Sequence, residues 1–167
     1  MASALNAFMK IGKARGESKQ EPFVDWIELQ SWDWEVEAET SWTKGGGATV
    51  GKPAPGALRW QHDFDTSSAV IMGTMCTGKA FPKAEIQVLR TTTAGAPASV
   101  LTVVMEGVYI TKVSTSCTEE GNVLQAVEMV SKTIRLDYVP QHAKTGKAGK
   151  VITFNWDIPA GTASPSA

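Results

Sequence analysis

The stretch WDWEVEAE, Trp32 to Glu39, decides how the rest of the chain is read. Taken in twos, it puts Trp32, Trp34, Val36 and Ala38 on one side and Asp33, Glu35, Glu37 and Glu39 on the other. Unbroken alternation is the pattern of a β-strand with one side on a core. The competing reading is a carboxylate-lined active site. Residues two apart on a strand project in parallel, about 6.6 Å from each other, whereas a glycosidase pair faces across its substrate. Four carboxylates in file do not converge, and no second motif supplies a partner acid or nucleophile. The stretch is predicted to be strand, with a solvated acidic side.

The same period recurs outward from it. Ala7, Met9 and Ile11 share one side of a first strand, which stops at GKARGESKQEP. Ile27 and Leu29 face one way, but the apolar phase changes parity before Trp32, so a bulge or bend is expected near Gln30 and Ser31. ALRWQHDF is short and mixed. AEIQVLR sets Ala84, Ile86 and Val88 against Glu85 and Gln87, and SVLTVVMEGVYI is apolar on both sides over Val100 to Met105, which suits a central strand or one buried at an interface between subunits. KTIRLDYV and VITFNWDI alternate again. One segment differs: in DTSSAVIMGTMCTGK, Asp65 to Ser67 offer an N-cap, Gly78 a stop, and Ala69, Met72, Met75 and Cys76 recur at helical spacing. KGGGATVGKPAPG, Lys44 to Gly56, is expected to be a long loop, too rich in Gly and Pro for helix or sheet core. The tail PAGTASPSA is expected to be mobile. The residues read as an all-β barrel or sandwich with one helix.

Composition excludes several functions. At 167 residues the chain suits one domain, and 43% hydrophobic and 20% charged residues are those of an ordinary globular protein. A net charge of −1 gives no electrostatic reason to bind nucleic acid, and no apolar run approaches the ~18 residues of a membrane span. The first residues do not read as a signal peptide, because no cation precedes an apolar portion broken by Asn6 and Lys10. The chain is expected to begin in the cytoplasm and to leave, if it leaves, outside the general secretory pathway. Cys76 and Cys117 have no metal or redox spacing, and two buried or half-buried thiols are favoured over a disulfide.

Candidate chemistry is sparse. Gly46-x4-Gly51-Lys52 matches a phosphate loop except at its last position, where Pro53 replaces the magnesium-holding hydroxyl, and Pro53 and Pro55 prevent the helix that should follow. His62 and His142 stand alone, without metal-ligand spacing, and are assigned surface or packing roles. Trp32 and Trp34 are expected in the core, and Trp26 and Trp42 half-buried at strand ends. No G-x-S-x-G is present. Nothing in the residues suggests an enzyme, a cofactor or a metal.

In their order, FMKIGKARGESK (Phe8 to Lys19), the WDW strand, the Gly-rich segment, DTSSAVIMGTMCTGKAFPKAEI (Asp65 to Ile86), LQAVEMVSKTIRLDYVPQ and GKVITFNWDI resemble the haemolysin-coregulated protein family, Hcp. The resemblance runs over about residues 5–158, leaving 159–167 as a flexible tail. It implies the tube subunit of a bacterial type VI secretion system, with a mainly β, phage tail-tube-like fold: a two-sheet β-barrel with one α-helix at its side. Further implications are hexameric rings stacked into an expelled inner tube and small effector proteins carried or chaperoned in the lumen. Expected partners are other copies of the chain, the spike, sheath and baseplate of the machine, and those effectors; nucleic acid and membrane insertion are not expected. The protein would pass from the bacterial cytoplasm to the outside or a target cell without a signal peptide.

By the same resemblance, Asp33 faces the lumen. If the alternation holds, Glu35, Glu37 and Glu39 continue its wall, so that sixfold repetition makes rings of carboxylate favouring cationic or polar cargo. Thr115 and Ser116 are second lumen candidates by position. Lys44, Gly45, Gly46, Gly47, Val50 and Lys52 belong to a loop expected to reach the adjacent subunit. The alternatives are a phage-like injection-tube subunit and, in another class, a monomeric β-barrel binding a small ligand in its interior.

Overall fold

The computed structural model describes residues 6–91, 97–141, 145 and 147–166. Its strands are β1 (Ala7–Ile11), β2 (Ile27–Glu28), β3 (Ser31–Asp33), β4 (Val36–Thr43), β5 (Gly47–Pro55) and β6 (Leu58–Asp63). Helix α1 (Thr66–Cys76) follows. Then come β7 (Phe81–Thr91), β8 (Pro97–Cys117), β9 (Val123–Val130), β10 (Thr133–Tyr138), β11 (Ile152–Asp157) and β12 (Thr162–Ser166). The alternating segments are strands, as their period dictates.

Two sheets are joined through β8, which is 21 residues long. Its first half lies between β7 and β10 in the order β12-β11-β10-β8-β7-β1-β2, and its second half pairs with β9, which leads to β6 and β3. The change falls at Gly107, whose φ of +62° is open to glycine and costly for other residues. A Cβ there would also lie 2.9 Å from the Lys132 side chain. Beside it the chain passes from β9 to β10, and Lys132 N–H donates to the carbonyls of Glu106 and Gly107. Of its two readings, the doubly apolar VLTVVM takes the central one: Val103 is 1% exposed on one side and Val104 8% on the other.

The two sheets do not close into a barrel. The chain crosses between them from Leu29, whose N–H donates to Ala7, to Gln30, whose N–H donates to Gln61. The predicted phase change is therefore a change of sheet. β2 and β3 are too short to build a ladder across this gap, and they remain edges. Between the sheets, Met9, Ile11, Ile27, Leu58, Ile86, Val103, Met129 and Ile134 are at most 2% exposed. Trp32 and Trp34 pack partly buried against this core. Phe8, on the other side of β1, joins a second cluster with Phe23, Trp26 and Leu89 beneath the segment leading to β2. That segment depends on Gly16, where a Cβ would fall 2.3 Å from the Trp26 carbonyl oxygen.

Four expectations need correction. Residues 44–56 are mostly strand: β5 pairs with β4 in a separate two-stranded sheet. Because β5 has a partner on one side only, Pro53 and Pro55 are tolerated there. The tail is strand as well, with β12 adding to the edge of β11. On α1 the inward side is Ser67, Ser68 and Ile71 with part-buried Met75, whereas Ala69, Met72 and Cys76 point outward. Both thiols, Cys76 and Cys117, are free and exposed rather than buried.

Candidate functional site

The polar side of β3-β6-β9-β8 is built by register. Ser31 opposes Gln61 and Asp33 opposes Arg59; Arg59 opposes Glu128 and Gln61 opposes Ala126; Glu128 in turn opposes Lys112 and Ala126 opposes Ser114. These residues form one face, dished by a depression of about 230 Å³. Arg59 donates to Asp33 Oδ2 from Nε at 3.2 Å and from Nη2 at 2.9 Å. Hydrogen bonding to Asp33, then its charge, with smaller help from Glu35 and Glu128, raises the pKa of the Arg59 guanidinium above its ordinary value. The pair is exposed to water, so it sets local charge more than stability. With Asp33 and Glu128 set against Arg59 and Lys112, the face is mixed in charge.

The predicted acidic wall therefore does not form as one row. β3 ends at Asp33, and the next strand begins at Val36 in a different sheet. Trp34 turns toward Phe154, with ring centroids 6.5 Å apart, and the Glu35 carbonyl accepts from Gly56 N–H at 2.8 Å. Glu37 and Glu39 lie on β4, Glu39 at a bulge. Thr115 and Ser116 are also separated. Ser116 shares the side of Ser114 and Lys112, while Thr115 pairs with buried Gln125 on the opposite side.

The arm β4–β5 has sides of its own. Trp42 opposes Ala48 and Thr40 opposes Val50, so Trp42, Ala48 and Val50 share a side; Trp42 is 81% and Val50 68% exposed. Trp42 is thus not half-buried. The other side carries Ser41 and Thr49, whose hydroxyls hydrogen-bond each other. Lys44, Gly45 and Gly46 make the turn, with φ of +89° at Gly45 and +80° at Gly47. Gly51 and Lys52 sit in the β5 ladder region rather than at the head of a helix, so the phosphate-loop pattern has no phosphate-loop geometry.

On the core side of β6, His62 is fully buried. Trp60 Nε1–H donates to His62 Nδ1 at 2.9 Å, which leaves the proton on Nε2, 3.2 Å from Ser68 Oγ. Burial lowers the His62 pKa, opposed by Asp65 and Asp63. Asp65 Oδ1 stands 3.9 Å away, and burial together with the accepted bond at Nδ1 makes the neutral ring the native form. Asp65 caps α1, accepting from Ser67 N–H while Ser68 Oγ accepts from Asp65 N–H, so His62 ties the helix start to the sheet. The sequence left His62 a surface or a packing role, and the packing role is the one it has; His142 lies outside the described residues.

The model of the family described as "Type VI secretion system effector, Hcp" matches residues 8–145. The chain belongs to the Hcp family. It is 28% identical to Protein hcp1 of Pseudomonas aeruginosa over 158 residues, covering 93% of this chain and 96% of that protein. The crystal structure of Hcp1 from Salmonella typhimurium aligns with a TM-score of 0.78 at 26% identity, over 96% of this chain and 99% of the other. The structure of a type six secretion system protein aligns at a TM-score of 0.85 and 22% identity, over 96% of this chain and 100% of the other. Within this Hcp-family chain, the sequence singled out Asp33 without the Arg59 that pairs with it or the Glu128 that opposes Arg59. Among the described residues, no helix is long and apolar enough to cross a membrane.

Proposed function

We propose that this chain is the tube subunit of a type VI secretion system, closing into hexameric rings that stack into the expelled inner tube. The observation that carries the ring is the arm. A two-stranded pair alone is marginal in water, yet this one holds a Trp and a Val on a side that its own chain leaves open. Covering Trp42 and Val50 with a neighbour contributes on the order of 4 kcal/mol per arm before the cost of association. A head-to-tail contact that closes covers every arm at once, and with it the free edges of the sheets.

The face of Asp33, Arg59, Lys112, Ser114, Ser116 and Glu128 is the surface offered to the lumen. Its alternating charges suit polar, hydrogen-bonding contact with small effector proteins rather than a purely cationic cargo. The spike, sheath and baseplate are the remaining partners in this reading, and export without a signal peptide is its route. Sedimentation velocity tests it. The intact protein is expected at six times the 17.9 kDa chain mass, and a variant with residues 40–50 replaced by a short turn as a folded monomer. An intact chain that stays monomeric at assembly concentrations overturns the proposal.

A further inference from the structure

Away from both the arm and the polar face, a groove of about 510 Å³ opens between the C-terminal half of α1 and the start of β7. Phe81 and Pro82 line it, and Lys10, Lys13, Lys79 and Lys83 surround it. Gly12 makes its shape possible, since a Cβ there would lie 2.6 Å from the Phe81 ring. The carboxylate on its wall, Glu85, opposes Lys10 across β1 and β7 and accepts from Gln87 Nε2 at 3.0 Å, and Glu106 opposes Lys83 across β7 and β8. None of the four lysines is within 4 Å of a carboxylate among the described residues. Gathered like charges raise the potential of a concave site and draw in the opposite sign.

The opposite sign stands at the other end of the helix. The turn between β8 and β9 carries exposed Glu119 and Glu120 and is closed by Thr118 N–H to Asn122 O at 2.9 Å and Gly121 N–H to Thr118 O at 2.9 Å. Beside it Val123 is 43% exposed. Phe64 N–H donates to Val123 O, and Gln125 Nε2 donates to Ser68 O, which hold this turn by the N-terminus of α1. The helix has 11 residues, about 16 Å of length, so a chain cannot place its own turn in its own groove. Another copy can.

We propose that the lysine groove receives the Glu119–Glu120 turn of a second copy, with the carboxylates among the ammonium groups and Val123 over Phe81 and Pro82. Every copy carries both halves, so the contact is head-to-tail and satisfies both unpartnered surfaces at once. It rests on the tube reading for the premise that copies meet, and it adds which surfaces do so.

Cross-linking separates the two. In a Cys76→Ser, Cys117→Ser background, Lys79→Cys and Glu120→Cys proteins are oxidised alone and as a mixture. A disulfide-linked dimer is expected from the mixture only, because the bond needs Cα atoms within ~7 Å. Assemblies that form normally without the mixed linkage overturn the groove contact and leave the tube reading standing; a protein that stays monomeric overturns both. Charge reversal adds a second arm. Lys79→Glu with Lys83→Glu, and Glu119→Lys with Glu120→Lys, should each weaken stacking at least tenfold, and mixing the two variants should restore it. Loss without restoration, or no loss at all, contradicts the pairing.

Discussion

The ribbon β7–β8 and the arm β4–β5 are both long antiparallel pairs, yet they end in opposite surroundings. In the ribbon, Ala84 opposes Met105 and Ile86 opposes Val103, all at most 2% exposed. In the arm, Trp42 opposes Ala48 and Thr40 opposes Val50, and both large apolar residues stand in water. Alternation tells which residues share a side; it does not tell what covers that side. The ribbon is covered by its own chain, and the apolar side of the arm is not.

The largest effect in that comparison is on the ribbon. Ile86→Ala should cost roughly 2–5 kcal/mol of stability in urea unfolding, since a fully buried side chain leaves a cavity. A loss as small as that of a surface change would mean that the ribbon is not the core. Gly107→Val comes next, at about 1–3 kcal/mol, because a β-branched residue must adopt φ +62° against Lys132.

His62 then gives a pH dependence. Its folded-state pKa is lowered while the unfolded chain keeps about 6.5. The contribution is thus fully present above pH 6.5 and is lost as pH falls below it, because only the unfolded state takes up the proton. Between pH 7.5 and 5.5 the urea midpoint of the parent should fall more than that of His62→Gln; parallel curves would remove His62 from the account. The smallest stability change, within about 0.5 kcal/mol, belongs to Trp42→Ser, which should nonetheless abolish assembly in sedimentation. On the polar face, Asp33→Arg should alter retention of a bound effector while the rings persist; changed assembly with unchanged cargo would contradict the lumen assignment.

Much of this architecture was legible because strand periods are local. The helix start within Asp65 to Ser67, the burial of VLTVVM on both sides and the parity change before Trp32 all came from short-range pattern. What escaped depends on distant partners. Trp34 and Val36 keep the same parity although the sheet changes between them, so WDWEVEAE looked like one strand. Arg59 meets Asp33 from 26 residues away, and nothing in ALRWQHDF announces it. The tail of small residues became β12 because the β11 edge offered a ladder, and Pro165 is tolerated on that outermost strand. Gly and Pro made 44–56 read as a long loop, whereas Gly45 and Gly46 form only its turn and the prolines sit in a strand paired on one side.

The most direct test is a cryo-electron microscopy map of the purified, assembled protein. Six-membered annuli are expected in which a neighbouring copy covers Trp42 and Val50, with Asp33 and Arg59 lining the bore. Single particles with a bare arm, or annuli that carry Asp33 on the outer rim, would contradict it.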